Sequence, residues 1–255
     1  MQDLYWISRT TLLLGEEKLK KLFDAHVLVV GMGGVGSFAA EMIARSGVGK
    51  MTIIDGDTVD SSNRNRQLPA LHSTIGLPKA ELMGARIRDI NPEIELNVVN
   101  DFLNPDNVDE LLQTPFDYVV DCIDSITPKL NLVAKAHLKG YKVVSSMGAG
   151  AKIDPTKVKI ADLSETYGCR LARYVRKRMR QDFNIKGGFP VVYSTEQTRL
   201  ESVMYTKNSP FKRSAYGTIS YLPAVFGCTC ASVVIRDLVG EPLSAVEAPP
   251  PMKFC

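Results

Sequence analysis

The chain has 255 residues, 45% apolar and 23% charged, the proportions of a soluble globular protein of one large or two modest domains. Its net charge of +3 is too small to signal nucleic-acid binding, so any such case must rest on clustering. Five cysteines, an odd number with no C-x-x-C pair, argue against a disulfide framework or a four-cysteine zinc site and for a reducing, cytoplasmic setting.

Residues 1–10 (MQDLYWISRT) hold Asp3 and Arg9 and lack the continuous apolar stretch of a signal peptide. Residues 27–30 form a β-branched run that reads as a strand and breaks at Gly31, Gly33, Gly34 and Gly36. A helix is expected from about Ser37, because Phe38, Ala39, Met42 and Ile43 recur at helical spacing, and Gly47 and Gly49 end it. Residues 51–55 read as the next strand, and 79–90 as a helix stopped by Asn91-Pro92. A strand over 94–100 and a helix over 105–112 follow. Residues 117–124 (DYVVDCID) read as a buried strand that ends in acid. Thr127-Pro128 opens a further helix, Gly140 closes it, and residues 141–145 are a strand. This βαβα succession predicts a Rossmann-like, doubly wound and mostly parallel sheet, which binds ligands beyond the carboxyl ends of its strands.

After Gly150 the pattern changes to a mixed β/α part. Strands are expected over 157–163 and 189–194, with a basic helix between them over 169–183. Residues 197–216 are polar and turn-rich, which predicts a mobile loop crossing the nucleotide site. A last helix runs over about 222–238. Residues 214–235 carry no charge, but Gly217, Pro223 and Gly227 suit a buried helix over a sheet better than a membrane span. The whole reads as one domain over 1–240, with a nucleotide half over about 25–150, a substrate and dimer half over about 151–240, and a flexible tail over 241–255.

The glycine turn has a direct chemical reading. Gly31 permits the bend, Gly33 lets backbone approach a phosphate, Gly36 lets helix pack on strand, and the helix start offers free N–H groups to an anion. Asp55 closes the next strand about 20 positions on, where a ribose-reading carboxylate belongs. The loop after it carries Asn63, Arg64, Asn65, Arg66 and Gln67, groups that suit a triphosphate rather than a nicotinamide. Lys79, a cation at a helix start, opposes the helix dipole and so wants a reason. Strand alternation would put Asp121 and Asp124 on opposite sides, one of them a structural cap. Arg170, Arg173, Lys177 and Arg180 fall on one helical face, a stripe suited to a phosphate backbone. Cys122, Cys228 and Cys230 read as buried packing, and Cys169, at the start of the basic helix, as the cysteine with the best claim to reactivity. His26, His72 and His137 lack the company that a catalytic histidine needs.

GMGGVG, DGDTVDSSNRNRQ, GLPKAE and DCIDS, in this order and spacing, resemble the ThiF/MoeB-type activating enzymes related to ubiquitin activation, which adenylate a carboxylate with ATP. Within them the opening ISRTTLLLGEEKLKKL, the segment YGCRLARYVRKRMR and the lack of zinc cysteines most resemble the branch that dehydrates threonylcarbamoyladenosine in tRNA. The resemblance implies that Gly31, Gly33, Gly34 and Gly36 cradle the nucleotide and that Asp55, with Asp57 beside it, serves its ribose. It implies that Asn63, Arg66, Gln67 and Lys79 hold the phosphates and that Asp124, last in the D-C-x-D pattern, holds Mg2+. Arg9 would reach into a partner's site, which implies a homodimer. The substrate implied is tRNA, whose threonyl carboxylate is adenylated and then cyclises with loss of AMP. A cysteine-desulfurase or sulfur-acceptor partner stays open. The alternatives are a sulfur-carrier activating enzyme of the same fold, an NAD-dependent oxidoreductase, and a tRNA-binding scaffold without activity.

Overall fold

The computed structural model describes residues 4–205 and 214–243. Two short helices, α1 (Ser8–Leu14) and α2 (Glu16–Asp24), lead in through Gly15, whose φ of 82° L side chains avoid. Neither was visible as an element in the sequence. α2 buries Leu19 and Leu22, and its end meets the backbone of Gly49, where a Cβ would overlap the carbonyl of Phe23.

The nucleotide half then alternates as its periodicity demands. It comprises β1 (His26–Val30), α3 (Gly36–Arg45), β2 (Lys50–Ile54), α4 (Lys79–Ile90), β3 (Glu95–Val99), α5 (Val108–Leu111), β4 (Tyr118–Asp121), α6 (Ile126–Leu138) and β5 (Lys142–Ser146). The second half adds β6 (Val158–Asp162), α7 (Arg170–Phe183), β7 (Pro190–Ser194), the small strands β8 (Val203–Tyr205) and β9 (Ser214–Tyr216), and α8 (Tyr221–Val239). Seven strands form one sheet in the order β3-β2-β1-β4-β5-β7-β6, parallel throughout except β6, which runs antiparallel to β7. The chain is thus mixed α/β with a mostly parallel sheet, as expected.

Alternate residues of each strand feed two cores. Val27, Val29, Met51, Ile53, Val120 and Val144 face α3, α4 and α8, while Leu28, Val30, Val119, Val143 and Val191 face α5, α6 and α7. α8 is the one described helix long and apolar enough to cross a membrane by composition. Here Leu222, Phe226, Cys230, Val233 and Val234 bury it against the sheet and α3, the better of the two readings of that uncharged stretch.

Three expectations need correction. β4 ends at Asp121, so Asp124 lies in the following loop and alternation does not decide its side. Within 197–216, β8 and β9 pair antiparallel, so that stretch is built around a hairpin; residues 206–213 lie outside the described residues. Cys228 is exposed, whereas Cys230 is fully buried. Of the tail, residues 244–255 lie outside the described residues.

Candidate active site

The strand order reverses between β1 and β4, and a doubly wound sheet opens a crevice at that point. The loops after β1 and β4 carry the glycines and Asp124. Gly31, at φ 94°, packs so close that a Cβ there would stand 2.9 Å from the carbonyl oxygen of Cys122. A Cβ on Gly36 would overlap the carbonyl of Gly31. Gly34 faces Pro223 at the start of α8 and the backbone of Arg66. Gly33 differs: a Cβ there would meet nothing nearer than the Gln67 Nε2 at 3.7 Å. Three glycines therefore close the turn, and one leaves a gap above it.

Asp55 sits just past β2. One carboxylate oxygen accepts from the Met32 N–H at 2.5 Å and the other from the Asp57 N–H at 2.7 Å, which ties the second strand to the glycine turn. Burial pushes its pKa up, against the pull of the Asp57 N–H, Lys79 and the Met32 N–H. Lys79 opens α4 almost fully buried, with Nζ 2.9 Å from Asp57 Oδ2 and its own N–H on the Asp57 carbonyl. That pair supplies the reason for a cation at a helix start: Asp57 compensates it and holds it toward the crevice floor.

The loop over 60–67 is a rigid turn. Asp60 and Asn63 cap it reciprocally, the Asn63 Oδ1 accepting from the Asp60 N–H at 3.1 Å. That bond fixes the orientation of the amide, whose nitrogen donates no hydrogen bond among the described residues. Arg66 donates to the Ser62 carbonyl at 2.9 Å and to Asn65 Oδ1 at 2.8 Å, and Asn65 reaches the Thr218 carbonyl beyond the hairpin. Gln67 Oε1 is buried and accepts no hydrogen bond, the sole buried side-chain polar atom in that state among the described residues. A buried amide oxygen without a donor costs about 1–3 kcal/mol. The gap above Gly33, where the nearest atom is the Gln67 amide nitrogen, leaves room for a phosphate against the N–H groups of the turn, so the cradle fits ATP.

Asp121 and Asp124 separate cleanly. Asp121 is fully buried, 2.5 Å from Lys129 Nζ and 2.5 Å from Ser145 Oγ, and accepts from the Ile123 N–H at 3.0 Å. Lys129 also donates to the Ser146 carbonyl at 2.9 Å. This is the structural member of the pair. Asp124 is exposed at the carboxyl edge, with Ser125 Oγ 3.4 Å from its Oδ1. No three His, Cys, Asp or Glu side chains come together among the described residues, so an all-protein metal cage is absent there. One carboxylate beside phosphate oxygens is the arrangement magnesium takes.

Arg9 lies exposed on α1 and is not among the groups gathered at this crevice. Arg170, Arg173, Lys177 and Arg180 are all exposed along α7, while Ala172, Val175 and Met179 bury its other side. Cys169 is buried beside Lys152, a lysine whose pKa burial pushes down and whose Nζ donates to the carbonyls of Gly148 and Ser194. Cys122 shares a hydrogen bond with Cys230, and that contact together with burial holds its thiol well above the usual range. Sequence reading missed the buried Lys129 and Lys152. The signal for Lys129 was a lysine directly before the apolar run Leu130, Leu132, Val133.

A family model described as "ThiF family" matches residues 7–251. The chain is 45% identical over 245 residues to tRNA threonylcarbamoyladenosine dehydratase of Bacillus subtilis, covering 93% of this chain and 96% of that protein. It is 40% identical over 248 residues to the Escherichia coli protein of the same name, covering 91% and 92%. The crystal structure of the E. coli dehydratase in complex with ATP superposes with a TM-score of 0.86 at 38% identity, over 94% of this chain and 96% of that one. With the fold and nearly the whole length in agreement, the chain belongs to the ThiF family.

Proposed function

We propose that this chain uses ATP to dehydrate threonylcarbamoyladenosine in tRNA, cyclising the threonyl side group next to the anticodon. The observation that carries this reading is the match to dehydratases over more than nine-tenths of the chain. The gap over Gly33, faced by the Gln67 amide nitrogen, supports ATP as the nucleotide. The absence of any C-x-x-C pair counts against the sulfur-carrier activating branch.

The reaction follows in two steps. A carboxylate oxygen of the threonyl group attacks the α-phosphorus, the bond to the bridging oxygen breaks, and pyrophosphate leaves. A nucleophilic atom of the same side group then attacks the acyl carbon and gives up its proton, and AMP departs with the carboxylate oxygen. One water is lost overall. Approach of a carboxylate to a triphosphate meets dense negative charge, so positioned cations carry the catalysis. Lys79, held by Asp57, and Arg66 supply two, with Asn63 and Gln67 completing the grip on the phosphates. Asp55 accepts from the ribose hydroxyls, and the N–H groups around Gly31, Gly33, Gly34 and Gly36 receive phosphate oxygens. Magnesium held at Asp124 would neutralise phosphate charge.

Arg9 is assigned to the partner's site in a homodimer. What supports this is its helix: Leu12 and Leu13 on α1 are 80% and 82% exposed, a face that wants cover. The α7 stripe is assigned to tRNA phosphates, and the cytoplasm follows from a tRNA substrate and reduced cysteines. A cysteine-desulfurase or sulfur-acceptor protein is compatible with this reading but has no residue here that speaks for it.

The test is to incubate the protein with ATP, magnesium and tRNA carrying the modified adenosine, digest the tRNA, and weigh that nucleoside. ATP-dependent loss of one water, abolished in Asp124→Ala, supports the dehydratase. No loss, with ATP turned over once a ubiquitin-like carrier is added, moves the chain to the sulfur-carrier branch.

A further inference from the structure

The turn before α7 presents an ordered aromatic ring that nothing in the adenylation site uses. Tyr167 is 59% exposed, yet its ring stands edge-on against the buried ring of Tyr193, with centroids 6.0 Å apart and planes at 74°. Its hydroxyl lies 3.5 Å from Lys159 Nζ on β6. Gly168 follows at φ 72°, with so little room that a Cβ would stand 2.9 Å from the Thr195 carbonyl oxygen. The turn is therefore tied to the carboxyl end of β7. The first residues of α7 are tied to the end of β5 as well, since Leu171 is the side chain nearest Gly148. Tyr167 thus stands at the same edge of the sheet as the glycine turn after β1 and Asp124 after β4.

Seven residues on, within α7, Tyr174 is 44% exposed, with the Arg178 guanidinium 5.8 Å from its ring centroid and donating to its hydroxyl at 3.0 Å. Between and beyond the two rings lie Arg170, Arg173, Lys177 and Arg180, all exposed. Residues 163–183 hold six Arg and Lys against two acids, Glu165 and Asp182. Asp182 is engaged by Arg178 at 2.6 Å, and Arg176 is turned to the Thr166 carbonyl at 2.7 Å, so those two arginines serve the fold. Among the described residues the stripe cations make no side-chain hydrogen bond or ion pair.

A lone exposed tyrosine is ordinary. Two rings fixed by their neighbours and interleaved with cations are the composition of surfaces that hold unpaired nucleotides, where aromatic faces take the bases and Arg or Lys the phosphates. Resting on the tRNA reading above, we propose that Tyr167 is the stacking residue for a base of the anticodon loop, with Tyr174 and the stripe cations holding the nucleotides that lead away from it. Stacking on a ring at the same edge of the sheet as the crevice would fix the depth at which the modified adenosine enters. A double-helical region could not use Tyr167, because its bases are already stacked on one another.

Two measurements on the full chain test this. Binding of an unmodified anticodon stem-loop RNA is followed by anisotropy for the wild type, Tyr167→Ala and Tyr167→Phe, and the KM for modified tRNA is measured in parallel. Tyr167→Ala is expected to weaken RNA binding and raise the KM for tRNA by roughly tenfold, with ATP affinity unchanged. Tyr167→Phe keeps the ring and is expected to stay near the wild type, which separates stacking from folding. Unchanged binding in Tyr167→Ala, or equal damage in both variants, overturns the proposal. Wild-type RNA binding without dehydration would instead sink the dehydratase reading while the stacking contact stood.

Discussion

Glycines in one turn can be told apart by what surrounds each missing Cβ. Gly36→Ala would drive a methyl into the Gly31 carbonyl and toward Cys122, so loss of soluble, folded protein is expected. Gly33→Ala meets no atom within 3.7 Å, so its thermal midpoint should stay near the wild type. Its methyl occupies the space over the turn, however, and ATP affinity should fall by tenfold or more on the order of a lost phosphate contact. Calorimetric ATP titration beside a melting curve checks both. The sequence shows four glycines and cannot rank them, because the ranking lies in contacts made only in the fold, such as those of Gly31 with Cys122 and of Gly34 with Pro223.

Asp55 makes a pH prediction at the same scale. Burial, the largest influence, raises its carboxyl above the ordinary aspartate range. A carboxyl with a raised folded pKa binds its proton more readily folded than unfolded, so ionisation there opposes folding once the pH exceeds the unfolded value. Acceptance of ribose hydroxyls needs the ionised form. ATP affinity is therefore expected to fall on acidification earlier than an ordinary aspartate would dictate, and Asp55→Asn should bind weakly with that pH dependence gone. Titrations of ATP binding from neutral to mildly acidic pH give the answer.

Elements were legible where periodicity was strong and obscure where it was not. The helix expected over 79–90 is α4 (Lys79–Ile90), because an apolar stripe and the Asn91-Pro92 stop agree. β8 and β9 have three residues each, too short for alternation to register, and so their stretch read as loop. α8 is apolar on nearly every side, which erases the period that would have shown Cys228 outward and Cys230 inward. β4 was overextended for a related reason: in DYVVDCID nothing local marks where the buried run ends, and only the ion pair of Asp121 with Lys129 does.

That ion pair joins β4 to α6 and fixes the loop bearing Asp124 through the Ile123 N–H. Lys129→Met would leave Asp121 buried without its cation, a change that costs about 3–5 kcal/mol. Chemical denaturation should show that loss, and Lys129→Met with Asp121→Asn should recover part of it by removing the orphaned charge. On α7, replacing Arg170, Arg173, Lys177 and Arg180 together by alanine should weaken tRNA binding strongly at low salt. The slope of log affinity against log salt should fall by roughly 3 if all four meet phosphates. An unchanged slope would assign the stripe to solvent.

At the scale of the molecule, Arg9 stands apart from the other groups of the proposed ATP site. The glycine turn, Asp55 and the 60–67 loop meet beside the strand reversal between β1 and β4, and Asp124 lies in the loop after β4. Arg9 instead sits exposed on α1, the helix that carries the exposed Leu12 and Leu13. A homodimer with shared sites makes a prediction no monomer can mimic. Arg9→Ala and Asp124→Ala should each be inactive alone, since one lacks the donated cation and the other the metal ligand. Mixed and allowed to exchange, they form heterodimers in which one site has both Asp124 and a wild-type Arg9. With random pairing about a quarter of wild-type activity should return. Return of activity on mixing would establish donation across the interface. No return, with sedimentation showing dimers that exchange, would place Arg9 in its own chain's site, whereas full activity of Arg9→Ala alone would place it outside catalysis and leave Lys79 and Arg66 as the cations facing the triphosphate.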